Sequence, residues 1–113
     1  MSLDVTLSNP PCGTCGHVPE GYSDNITHNL NTMAQQAGIY MQVWRPEECG
    51  IKTASQLIEP LTVGIALLKS DPERFKKFDS SNGWGLYENF VPWLERYLEA
   101  CINNPNAEVS ADR

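Results

Sequence analysis

Cys12 and Cys15 are the residues whose type and spacing most directly suggest chemistry. Two thiols two residues apart, in Cys12-Gly13-Thr14-Cys15-Gly16-His17, have the form of a metal-binding knuckle. The residues between them form a tight turn that aims both sulfurs at one point, and glycine supplies the positive φ such a turn needs. A tetrahedral site needs two more ligands, and His28 and Cys49 are the candidates. His17 follows Cys15 too closely to ligate without straining a compact knuckle. Zinc is the ion that suits mixed thiolate and imidazole ligands. The alternatives are a plain turn with free thiols or a reversible disulfide. A thioredoxin-type role does not fit: that CxxC opens a helix after a buried strand, whereas Pro10-Pro11 precede this one and Gly16 follows it. Cys101 falls on an apolar face and reads as an inert core thiol.

A second constellation is Asn25, His28 and Asn29. At i, i+3 and i+4 they share one face of an expected helix, at the border of its apolar stripe. Such groups suit a small polar ligand or a nucleotide, with His28 able to act as a general base and Trp84 walling the pocket. The alternative is structural: the same groups hydrogen-bond the loops at 79–85 or 44–50, since buried loops need such partners. Asn82-Gly83-Trp84-Gly85 is no phosphate loop, as it lacks the Lys-Ser/Thr ending and the dinucleotide spacing. In Trp44-Arg45-Pro46-Glu47-Glu48, Arg45 can pair with Glu47, Glu48 or Glu88, and a solvated pair of that kind contributes little. Ser, His and Asp are present, but none stands in a nucleophile-elbow context.

The elements that must position these residues follow from pattern. Leu3-Asp4-Val5-Thr6-Leu7 alternates and predicts a half-buried strand. With Asn9-Pro10-Pro11 and Pro19-Glu20-Gly21 as turn signals, residues 2–22 form a hairpin with the cysteines at its tip. A helix is expected from Ser23 or Asp24, with Ile26, Leu30, Met33, Ala34 and Ala37 on one face and Gly38 stopping it. Residues 39–44 suit either a strand or a helix extension, and 45–50 a loop. Thr53 can cap a second helix with a stripe from Ala54 to Leu68, kinked or split at Pro60. Asp71-Pro72 starts a short helix that turns Phe75 and Phe78 inward. The last helix runs from about Tyr87 to Ile102, starting late or bending at Pro92. Val109-Ser110-Ala111 can pair with residues 3–7.

The chain has 113 residues and is 41% hydrophobic, enough for one domain, 1–113, with one core. A zinc knuckle here would staple a fold that already has a core. The fold class that emerges is α+β, with three or four helices as core, a small antiparallel N- and C-terminal strand pair, and a projecting CxxC turn. Lys plus Arg total 8 against 14 Asp plus Glu, a net charge of −6. That balance argues against nucleic-acid binding, which needs a basic face. The longest apolar run, Leu61 to Leu68, is too short to span a bilayer. The start Met1-Ser2-Leu3-Asp4 lacks a basic n-region and an apolar h-region, so a cytoplasmic, reducing compartment is expected.

The stretches Asn25-Ile26-Thr27-His28-Asn29-Leu30, Trp44-Arg45-Pro46-Glu47-Glu48 and Asn82-Gly83-Trp84-Gly85 with Tyr87-Glu88, together with the Met1-Ser2-Leu3-Asp4-Val5 start, resemble a family of small, uncharacterised bacteriophage and bacterial proteins. The resemblance spans most of the chain from Asn25 onward and implies a cytoplasmic, phage-encoded protein, without supplying an activity. Two function classes fit the chain. One is a non-enzymatic binding or regulatory protein, a phage accessory factor acting on a host or phage protein, with a structural zinc knuckle. The other is a small-molecule or nucleotide-binding protein, enzymatic or not, with a polar pocket at Asn25, His28, Asn29 and Trp84.

Overall fold

A computed structural model describes residues 2–9, 21–79 and 85–112. Strands β1 (Ser2–Ser8), β2 (Tyr22–Thr27) and β3 (Glu108–Asp112) form an antiparallel sheet in the order β2-β1-β3. The helices are α1 (Asn31–Gln36), α2 (Tyr40–Trp44), α3 (Ser55–Ser70), α4 (Pro72–Lys76) and α5 (Tyr87–Asn103), with 3-10 turns at His28–Leu30 and Pro46–Cys49. The fold is therefore α+β, with the N- and C-terminal strands joined. None of the described helices is long and apolar enough to cross a membrane.

The sheet follows from alternation. Leu3, Val5 and Leu7 are fully buried, and their partners on the inner face are Ile26, Asp24 and Tyr22 in β2 and Ala111 and Val109 in β3. The outer face carries Asp4, Thr6 and Ser8 beside Ser23, Asn25 and Ser110, as expected of an antiparallel sheet wet on one side. β1 and β2 are antiparallel neighbours, but the return strand runs from Tyr22 to Thr27, beyond the expected hairpin of residues 2–22. Its connection, with Cys12, Cys15 and the expected CxxC turn, lies outside the described residues.

The helix expected from Ser23 or Asp24 is instead β2, and helix begins only after Thr27. Thr27 is the actual cap: its Oγ1 accepts from the Asn29 N–H at 3.3 Å. Asn25 consequently lies on a strand, not on one helical face with His28 and Asn29. Gly38, at φ +77°, follows α1 as expected. Residues 40–44 are helical. α3 runs unbroken through Pro60, and it starts at Ser55 without a Thr53 side-chain cap. In its place Gln56 Oε1 reaches back and accepts from the Lys52 and Thr53 N–H groups. Asp71 Oδ1 accepts from the Arg74 N–H, with Pro72 in the first turn of α4. α5 starts at Tyr87, whose N–H donates to Asp79 Oδ1 at 2.7 Å, and passes through Pro92.

α3 and α5 pack against each other and, with α2, bury Trp44, Leu57, Leu61, Leu68, Phe90, Leu94 and Tyr97. Each large apolar side chain removed from water in this way stabilises the fold by about 1.5–3 kcal/mol. Six rings run through this core in sequence of contact, Tyr22, Tyr97, Trp93, Phe90, Trp44 and Tyr40, with centroid spacings from 5.5 to 6.5 Å. Cys101 is fully buried beside them, and burial pushes its thiol up to about 12. Gly64 lets α3 approach Ile39, whose side chain occupies the space a Cβ would need.

Candidate functional site

His28 and Trp44 meet at the edge of the core. The Trp44 indole Nε1–H donates to His28 Nδ1 at 3.1 Å. Trp44 is 1% exposed, so its N–H needs an acceptor, and the imidazole supplies one. Because Nδ1 accepts, the neutral ring carries its proton on Nε2. Nε2 is buried and finds no hydrogen-bond partner among the described residues. In this arrangement neither ring nitrogen offers a lone pair outward. A metal or a general-base role at His28 would first have to displace the Trp44 bond.

Asn29 stands beside Gly85, which has φ +105° and whose Cβ, if present, would lie 2.9 Å from that of Asn29. The 3-10 turn at His28–Leu30 therefore packs closely against Gly85. Only a glycine fits there: the backbone is left-handed and the approach is too close for a side chain. Trp84 lies outside the described residues. Asn25 faces outward from the sheet, opposite Asp4.

Cys49 lies in the turn Pro46–Cys49. Its thiol sits 3.5–3.7 Å from the carbonyl oxygens of Met41, Arg45 and Pro46, where it serves the end of α2 as a weak donor. Cys12 and Cys15 are outside the described residues. Among the described residues no three His, Cys, Asp or Glu side chains gather as a metal site would require. Arg45 pairs with Glu48 at 2.6 Å, and its Nε–H donates to the Tyr40 hydroxyl at 3.3 Å. These bonds push the guanidinium's affinity for its proton further up. The pair is exposed on both sides and adds little to stability.

A second site has no motif. A cleft of about 870 Å³ opens where the end of β1, the turn leading to α3 and the start of β3 converge. Its walls include Ser8, Glu47, Ile51, Lys52, Asn106 and Glu108. Strand pairing fixes this wall. The Val109 N–H donates to Lys52 O at 2.9 Å, Thr53 bridges to Glu108, and the Ala54 N–H donates to Ala107 O. Gly50, at φ +79°, ends the 3-10 turn and turns the chain toward Lys52. Sequence reasoning included Glu47 only as an acid in the Trp44–Glu48 motif and did not single out Lys52, Asn106 or Glu108.

No family model, no curated protein and no solved structure matches this chain.

Proposed function

We propose that the protein is a small non-enzymatic binding protein whose polar ligand seats in the cleft at Ser8, Glu47, Ile51–Thr53, Asn106, Glu108 and Val109. One observation carries this reading: a cleft of about 870 Å³ with mixed polar and apolar walls. Ligand pockets are commonly of about 300–1,000 Å³, with an apolar body and a few polar groups. The exposed charges and amides on several segments suit recognition. His28, the best general base in the sequence reading, already has its Nδ1 in a bond to Trp44. The test is a thermal-shift screen of polar metabolites against the wild type and Asn106→Trp, which narrows the cleft from an exposed wall position. A ligand that raises Tm in the wild type and not in Asn106→Trp supports the reading. Equal shifts in both proteins, or none in either, contradict it.

The zinc knuckle remains part of the proposal on the strength of Cys12 and Cys15 alone, with His28 and Cys49 as the further candidates. Elemental analysis of protein purified without added metal tests it: less than about a tenth of an equivalent excludes a tight structural site. If His28 were a ligand, loading zinc would also break the Trp44 bond and change the indole fluorescence. The motif resemblance suggests the setting, a phage accessory factor in the cytoplasm that engages a host or phage protein.

A further inference from the structure

We propose that the free edge of β2 docks an extended, basic segment of a partner protein, which adds a strand to the sheet and places a Lys or Arg side chain in the hollow between Tyr22 and α5. This surface is separate from the cleft. In the order β2-β1-β3, β1 is central and two edges are left. The β3 edge is already partly covered by Lys52 and Thr53. The register shows what the β2 edge offers. A strand residue sends its N–H and C=O to one side, and its neighbours send theirs to the other. The Val109 N–H bonds Lys52 O, away from β1, so Glu108, Ser110 and Asp112 are the β3 residues that bond β1, at Ser8, Thr6 and Asp4. Leu3, Val5 and Leu7 of β1 then bond Ile26, Asp24 and Tyr22. Ser23 and Asn25 are left with their main-chain groups directed away from the sheet. The Asn25 N–H agrees, because it donates at 2.8 Å to its neighbour, the Asp24 carboxylate. The Ser23 N–H and C=O and the Asn25 C=O have no hydrogen-bond partner among the described residues. Neither proline nor lysine, the usual guards of an open edge, occurs in Tyr22–Thr27.

The chemistry of the occupant follows from what lies beside the edge. Tyr22 and Asp24 point to the inner face, where α5 meets them. Tyr22, Arg96, Glu99 and Asn103 wall a hollow of about 300 Å³ there, enough for a side chain. Arg96 is turned to Asp24 at 3.5 Å. Glu99 is exposed and has no ion-pair partner among the described residues. A cationic side chain from an added strand meets Glu99 and, standing opposite Asp24, makes a favourable cross-strand pair. The net charge of −6 attracts the same partner and repels an acidic one. A second copy of this chain fits poorly, since it brings the same Asp24 and the same net charge to the edge. Main-chain bonds supply the affinity of strand addition, and the hollow selects the side chain.

The probe is the blocked peptide Ac-Val-Thr-Lys-Thr-Val-NH2, β-branched to favour the extended form. It is titrated into the full chain with backbone amide shifts as readout. Shifts are expected at Ser23, Asn25, Arg96 and Glu99. Replacing the peptide's Lys by Glu is expected to weaken binding by about tenfold or more. Methyl groups on both threonine nitrogens, which face β2 when the Lys faces the hollow, should abolish it. Glu99→Gln, an exposed substitution whose fold a urea midpoint verifies, should shrink the preference for Lys over Glu. Equal binding of the Lys and Glu peptides overturns the proposal, as does binding that survives N-methylation, a preference unchanged in Glu99→Gln, or the absence of any shift at Ser23 and Asn25. Edge shifts that arise on concentrating the protein alone would assign the edge to a second copy and overturn it too.

Discussion

The His28–Trp44 corner and the Glu47–Val109 cleft are built from similar polar groups and use them in opposite ways. At the corner an imidazole and an indole face each other at 3.1 Å with the ring of Trp44 buried. Their hydrogen-bonding capacity is directed inward, and the bond fixes where α2 meets the 3-10 turn after β2. In the cleft, Lys52 and Glu108 are exposed and held on opposite sides of a strand pairing. Neither makes an ion pair with another described residue. A distinctive motif therefore marks the corner, where the hydrogen bond is structural, while the cleft proposed to hold a ligand carries no motif at all.

Breaking the corner is expected to cost most. Trp44→Ala removes a buried ring that contacts Tyr40 and Phe90, and a loss of about 3–5 kcal/mol is expected from urea unfolding. His28→Ala keeps the ring but takes the imidazole acceptor from its N–H, for a loss of about 1–3 kcal/mol. If that variant were as stable as the wild type, the corner would not be the structural device described here.

The alkaline limb of stability sharpens the same contrast, since the buried side of the molecule titrates late. The Cys101 thiol is held protonated up to about 12 by burial, against its usual 9.0. Between those values the unfolded chain binds fewer protons than the native one, so stability is full below about pH 9 and falls as pH rises toward 12. Tyr22 is also pushed up to about 12, first by burial and then by the charge of Asp24, and it steepens the upper part of the fall. Unfolding free energies measured across this range should show a shallower slope in Cys101→Ala. An unchanged slope would place the thiol in contact with solvent.

The smallest effect is expected at the cleft. Lys52→Met and Glu108→Gln should each change stability by less than about 0.5 kcal/mol, because their side chains are exposed and make no ion pair among the described residues. A larger loss in either would mean that the cleft charges hold the fold, as the corner does.

The sequence revealed these two regions unequally. β1 was legible because Leu3, Val5 and Leu7 alternate strictly with polar residues, and its pairing with Val109 and Ala111 followed. β2 was not, because Ile26, Leu30, Met33, Ala34 and Ala37 carry helical spacing across the strand-to-helix junction. The inner face of β2 also includes Asp24, a carboxylate where a strand pattern calls for an apolar residue. That position works because Tyr22 donates to Asp24 and Arg96 of α5 approaches it at 3.5 Å, a partner that local pattern cannot anticipate. The helix punctuation at Gly38 and Asp71-Pro72 was readable, since caps are local chemistry. The cleft was hidden for the opposite reason: Ser8, Lys52 and Glu108 come together only through strand pairing between distant segments. His28 was flagged as a polar group at the core border, but its partner, the side chain of Trp44, emerges only when α2 is folded against it.

The most direct test of the central claim is an amide and indole chemical-shift map of the full chain titrated with a pool of polar fragments. The account predicts movement at Glu47, Gly50, Lys52, Asn106 and Glu108, while the Trp44 indole N–H stays in place. Movement centred on His28, Asn29 and the Trp44 indole, with the cleft amides still, would contradict it.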